Sequence, residues 1–288
     1  MPRRQTNSLL AIVFLSFALT SCGAAESKLP REVAPGVRLL GRLNDHRISE
    51  SSGVVASRRY EGVLWTHNDG GGPRRQFLFA VNRTGETQAS FPVTGALLHD
   101  WEDIAIDDAG HLFLGDIGNN DEKRGELAVY EVHEPDPRAG ARAIPVERHW
   151  RLLFPKERFD CESLFIHQGH GYLISKVFNN ARAQIFRFPL RETNEPLTLE
   201  LVATTKIESP VTGADISADG KRLGIVAKTG AYVFRIDGDV SRVIHVKPYH
   251  TRFKDEHIEG CCFVPEGLLA TSESRDIYLF TNAAFRGK

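Results

Sequence analysis

The chain has 288 residues, 41% of them hydrophobic and 25% charged, with a formal net charge of −1. That is ordinary globular composition with enough apolar content for a sizeable core. It lacks the basic footprint of nucleic-acid binders, and pairs such as Arg58-Arg59 and Arg74-Arg75 are too short to supply one, so no nucleic-acid partner is expected.

In chain order, residues 1–22 read as a targeting segment. Arg3 and Arg4 precede an apolar run from Leu9 to Leu19, too short to span a bilayer, and Leu19-Thr20-Ser21-Cys22 matches a bacterial lipobox. This predicts that Cys22 becomes the first mature residue and carries a lipid, anchoring an exported protein to a membrane of the cell envelope; an ordinary signal peptide cut nearby is the alternative. Residues 23–36 are polar and read as a tether, leaving 37–288 as one domain. No later stretch is long and apolar enough for a transmembrane helix. Cys161, Cys261 and Cys262 remain, an odd count without a C-x-x-C, so they are read as small buried hydrophobes, with a vicinal Cys261–Cys262 disulfide as the alternative.

From Val37 onward short apolar runs alternate with Gly, Asp and Asn turns, and no long segment has a helical period. A unit recurs five times, with starts at Glu50, Glu102, Glu162, Ala214 and Glu259 and polar partners at Asn68, Asp116, Lys176, Lys228 and Glu273. The last four pairs are each 14 residues apart and the first 18. In all-β sequence this argues a β-propeller with one blade per repeat. The second repeat predicts strands over 102–106, 111–116, 127–132 and 147–154, and the fourth over 214–217, 222–227, 231–236 and 240–246. Only three strands fit after Glu259, so Val37-Arg38-Leu39-Leu40-Gly41-Arg42-Leu43 is expected to supply the outer strand of the last blade, removing two exposed edges. Five four-stranded blades closed by this N-terminal strand is the expectation. Six is the alternative, although the surplus between Glu102 and Glu162 reads as a loop from Pro135 to Pro145.

Such a fold places Glu50, Glu102, Glu162 and Glu259 around one axis, with Ala214 breaking the ring. Beside them fall Asp116 and the candidate ligand-binding residues Asn68, Asp69, Trp101, Asn119, Asn120, Lys176, Lys228 and Glu273. Clustered carboxylates repel, which raises a pKa or calls for a cation. Oxygen ligands of this kind suit Ca²⁺, and Glu50, Glu102, Glu162, Glu259 and Asp116 are its candidate ligands. Two other readings stay open: carboxylates that fasten neighbouring blades, and carboxylates that share protons. No G-x-S-x-G elbow or phosphate-binding loop is present. His67, His99 and His257 fall near the site face, with His67 and His257 the candidate bases beside a metal. Trp65 reads as packing between blades.

The motifs Glu50-Ser51-Ser52-Gly53, Trp65-Thr66-His67-Asn68-Asp69, Asp100-Trp101-Glu102-Asp103-Ile104-Ala105, Gly115-Asp116-Ile117-Gly118-Asn119-Asn120 and Thr212-Gly213-Ala214-Asp215-Ile216-Ser217 cover most of the mature chain. They resemble a group of uncharacterised exported bacterial β-propellers. More distantly the chain is similar to gluconolactonase and calcium-dependent phosphotriesterase propellers, a resemblance that implies Ca²⁺ held in the channel by Glu, Asn and Asp; their ligand motifs have no residue-by-residue match here, and they have six blades. The expected function is therefore a monomeric, lipid-anchored envelope propeller whose acidic face binds a protein, glycan or small molecule. A metal-dependent hydrolase of lactones, esters or phosphoesters and a purely structural scaffold are the alternatives.

Overall fold

Two kinds of strand alternate along the chain. The strands Trp101–Ile106 and Val211–Ile216 are buried at every position, whereas Arg148–Leu153 alternates exposed and buried residues. The first pattern belongs to a strand enclosed on both faces and the second to a strand with one face in water. In the computed structural model, which describes residues 28–286 apart from 141 and 180, each enclosed strand starts an antiparallel sheet. The innermost strands are Ser51–Ala56, Trp101–Ile106, Asp160–His167, Val211–Ile216 and Ile258–Val264. They touch one another in that order and the fifth touches the first, closing a ring of five blades. Cys22, the rest of the expected leader and the first residues of the expected tether lie outside the described residues.

Each gap between blades holds its own apolar cluster. Trp65 and Trp101 fill the gap between blades 1 and 2, Phe113 and Trp150 that between 2 and 3, and Phe165 and Phe234 that between 3 and 4. Phe280 lies between blades 4 and 5, and Phe79 with Leu269 closes the ring. Cys161, Cys261 and Cys262 are free and buried in these layers, as small hydrophobes would be.

The closure is the one expected: Val37–Arg42 pairs antiparallel with Asp276–Thr281 as the outer strand of blade 5. Arg31–Ala34, inside the stretch expected to be tether, adds a further edge strand to the same sheet. The loop after Pro135 does not hide a sixth blade. Its end, Ile144–Pro145, runs parallel to Thr87–Thr94 and covers the edge of blade 1, and Leu197–Thr198 does the same for blade 2. Proline suits such an edge because it has no N–H to leave unpaired. The fourth repeat departs from expectation at its outer strand. Residues Val240–Ile244 form a 3-10 turn, started by Asp239, whose side chain accepts from the Ser241 amide, and Tyr249–Arg252 is the outer strand instead.

Candidate functional site

A β-bulge interrupts the pairing of every innermost strand with the strand that follows it. The bulges define which residues are equivalent. Pairs Ser51–Asn68, Trp101–Asp116, Cys161–Ser175, Val211–Ala227 and Ile258–Ser272 precede them. The ring position is the next residue along, Ser52, Glu102, Glu162, Thr212 and Glu259. The expected ring is thus corrected at two places, since Ser52 and Thr212 stand where Glu50 and Ala214 were expected. The pairs that precede the bulges are 17, 15, 14, 16 and 14 residues apart in chain order of the blades, so constant spacing in sequence does not imply equivalence in space. The following position is Gly53, Gly213 and Gly260 in three blades, where a Cβ would lie 2.3–2.5 Å from backbone atoms of the adjacent innermost strand.

The strand-end polar residues mostly fasten the chain to itself. Asn68 Oδ1 accepts from the Ser49 and Glu50 amides and its Nδ2 donates to the Arg47 carbonyl. Asp116, buried, accepts from the His99 and Asp100 amides and from Arg124. Asn119 ties its loop to blade 3 by donating its amide to Asp160 at 2.8 Å. Asn120 is exposed. Trp101 is fully buried, stacked on His67 with ring centroids 4.1 Å apart. His67 is therefore not available as a base. Its Nδ1 donates to the Asn68 carbonyl, its Nε2 accepts from the Gly53 amide, and burial pushes its pKa down to about 3. His257 lies exposed on the rim, with Nδ1 2.9 Å from Glu273 Oε2. His99 is also exposed.

Of the five carboxylates expected to bind metal, four have a cationic partner. Glu50 pairs with Arg75, Asp116 with Arg124, Glu162 with Lys176 and Glu259 with Lys228. Glu102 has none among the described residues, although it is only 4% exposed. Its carboxylate lies instead with Asp69 and Asp100, each offering one oxygen within 4.8 Å of the others. Asp69 comes from the loop after Leu64–Asn68, and Asp100 precedes the innermost strand of blade 2. Asp69 Oδ1 is buried without a hydrogen-bond partner among the described residues, as is Glu162 Oε2. Gly118 makes room for this cluster: a Cβ there would lie 2.3 Å from Asp100 Oδ2 and 2.4 Å from Glu102 Oε1.

Burial and mutual repulsion govern the charge here. Burial, then Glu162, Asp69 and Asp100, hold the Glu102 carboxyl well above the usual range. Burial with Asp100 and Glu50 pushes Asp69 up to about 6, and burial raises Asp100 against the pull of Arg124. On the other side of the mouth, burial and Glu259 push Glu162 up to about 8 against Lys176. Burial brings Glu259 to about 7 against Lys228. Asp100 is the site residue missing from the sequence expectation. Its spacing of two from Glu102 would put both on one side of an extended strand, a signal legible in Asp100-Trp101-Glu102.

No family model matches the chain, and no curated protein matches it. Among solved structures it is similar to the Dos1 propeller at 12% identity and TM-score 0.39, over 77% of this chain and 53% of that one. It is also similar to a chain of a nidogen/laminin complex at 12% identity and TM-score 0.45, over 82% and 81%. The chain thus spans about half the length of the first. Likenesses this remote concern fold alone, and the five blades rest on the strand pairing itself. The class defined here is a five-bladed β-propeller with an acidic mouth.

Proposed function

We propose that this chain is a binding propeller of the bacterial cell envelope, lipid-anchored through Cys22, whose mouth holds one divalent cation and engages its ligand there. The observation that carries the cation is Glu102, a buried carboxylate with no cationic partner among the described residues, gathered with Asp69 and Asp100. Three hard oxygen donors without histidine or cysteine suit Ca²⁺, which fills its remaining positions with water or ligand oxygens. Asp69, Asp100 and Glu102 take the place of the wider set expected from sequence. The test is thermal melting in Ca²⁺ and in EDTA. Ca²⁺ raises the melting temperature of the wild type by several degrees and leaves Glu102→Gln unmoved; equal responses, or none in either protein, contradict the proposal.

A hydrolytic reading of the same mouth is favoured by the rim pair His257–Glu273, in which the carboxylate fixes Nδ1 and no hydrogen bond among the described residues engages Nε2. Turnover of a lactone or phosphoester that both Glu102→Gln and His257→Ala abolish distinguishes this from binding alone.

A further inference from the structure

A separate groove lies on blade 4, outside the mouth. With a volume of about 570 Å³, it runs between the Lys206–Ser209 segment and the outer strand of that blade. Four cations line it: Lys206, Lys228, Arg252 and Lys254. Glu208 is the one carboxylate on its walls and is turned to Arg182 at 3.7 Å, while Lys206 and Arg252 have no ionic partner among the described residues. Ser209 belongs to the same lining; it is 8% exposed and its hydroxyl has no hydrogen-bond partner among the described residues. One wall is aromatic. Tyr232 stacks on His250 with centroids 4.0 Å apart and Phe253 adjoins them. The Tyr232 hydroxyl is held by Thr229 at 2.8 Å.

Unpaired cations favour an anionic group, and a flat aromatic wall with hydroxyls beside it favours a ring that carries its own hydroxyls. We infer that this groove binds an acidic saccharide, with its anionic group toward Lys206, Arg252 and Ser209 and its ring along Tyr232 and His250. Lys228 joins the groove to the mouth, because its ammonium also contacts Glu259 and the Glu256 carbonyl. The inference does not rest on the cation reading.

Calorimetric titration of the full chain in EDTA, which takes the mouth cation out of play, tests it with D-glucuronic acid, D-glucose and inorganic phosphate as probes. Glucuronic acid binds at least tenfold more tightly than glucose and more tightly than phosphate. Arg252→Ala weakens it about tenfold, Arg252→Lys restores most of the loss, and Glu208→Gln tightens it. Equal binding of glucuronic acid and glucose overturns the inference, as do phosphate binding as tight as glucuronic acid and an affinity indifferent to Arg252→Ala.

Discussion

The two halves of the mouth solve the same electrostatic problem differently. Across blades 3 to 5, Glu162 and Glu259 each receive a lysine from a strand end. Across blades 1 and 2, Glu102 faces Asp69 and Asp100, and no lysine or arginine pairs with any of the three among the described residues. A carboxylate out of water needs a partner, a proton or a metal. The first half carries its partner in the chain. The second half leaves that place to something outside it, and this difference, more than the number of acids, marks the site.

The lysine half breaks most severely. At about pH 9, above the Glu162 value of about 8 and so with its carboxylate ionised, Lys176→Met strands Glu162 and costs about 3 kcal/mol in urea unfolding. Adding Glu162→Gln recovers most of that loss; an additive double variant contradicts the pairing.

A smaller effect separates the mouth from buried acids that only staple blades. Asp215 is buried, and its Oδ2 accepts from the Phe263 amide of blade 5 at 2.7 Å. Burial pushes its pKa up to about 6 from an ordinary 3.8. The folded state therefore holds the proton more tightly than the unfolded chain. Stability from this group falls as pH rises from 4 to 6, by on the order of 2–3 kcal/mol. Asp215→Asn, which keeps the acceptor, removes that slope in denaturation curves taken across this range. An unchanged difference between the two proteins from pH 4 to 7 contradicts it.

The mildest change fills the space beside the cluster. Gly118→Ala is expected to destabilise by about 1 kcal/mol through overpacking and to abolish the Ca²⁺ response, because the methyl group displaces Asp100 and Glu102. A Ca²⁺ response equal to the wild type's in melting experiments contradicts this geometry.

The blade count and the closing strand were legible in the chain because turns and apolar runs repeat and because Val37–Arg42 had no other partner. The identity of the ring was not. Glu50 looks equivalent to Glu102 by motif, but its spacing of 18 to Asn68 departs from the 14 of the others, and the pairs Ser51–Asn68 and Trp101–Asp116 make Ser52 the equivalent by register. The 14-residue spacing made Lys176 legible as the partner of Glu162, but the same spacing sets Lys228 opposite Ala214, and only the fold brings it to Glu259. His67 illustrates a different limit. A histidine beside Asn68 and Asp69 reads as reactive, and only the packing of Trp101 against its ring reveals it as neutral and engaged at both nitrogens. The outer strand of blade 4 was misplaced because Val240–Ile244 carries strand-forming residues, yet Asp239 caps a turn there.

The most direct test of the central claim is calorimetric titration of Ca²⁺ into the metal-stripped protein. One site per chain, present in the wild type and in Glu50→Gln and missing from Glu102→Gln, is the result expected. Ca²⁺ binding to Glu102→Gln with wild-type affinity, or no binding to the wild type, would contradict the account.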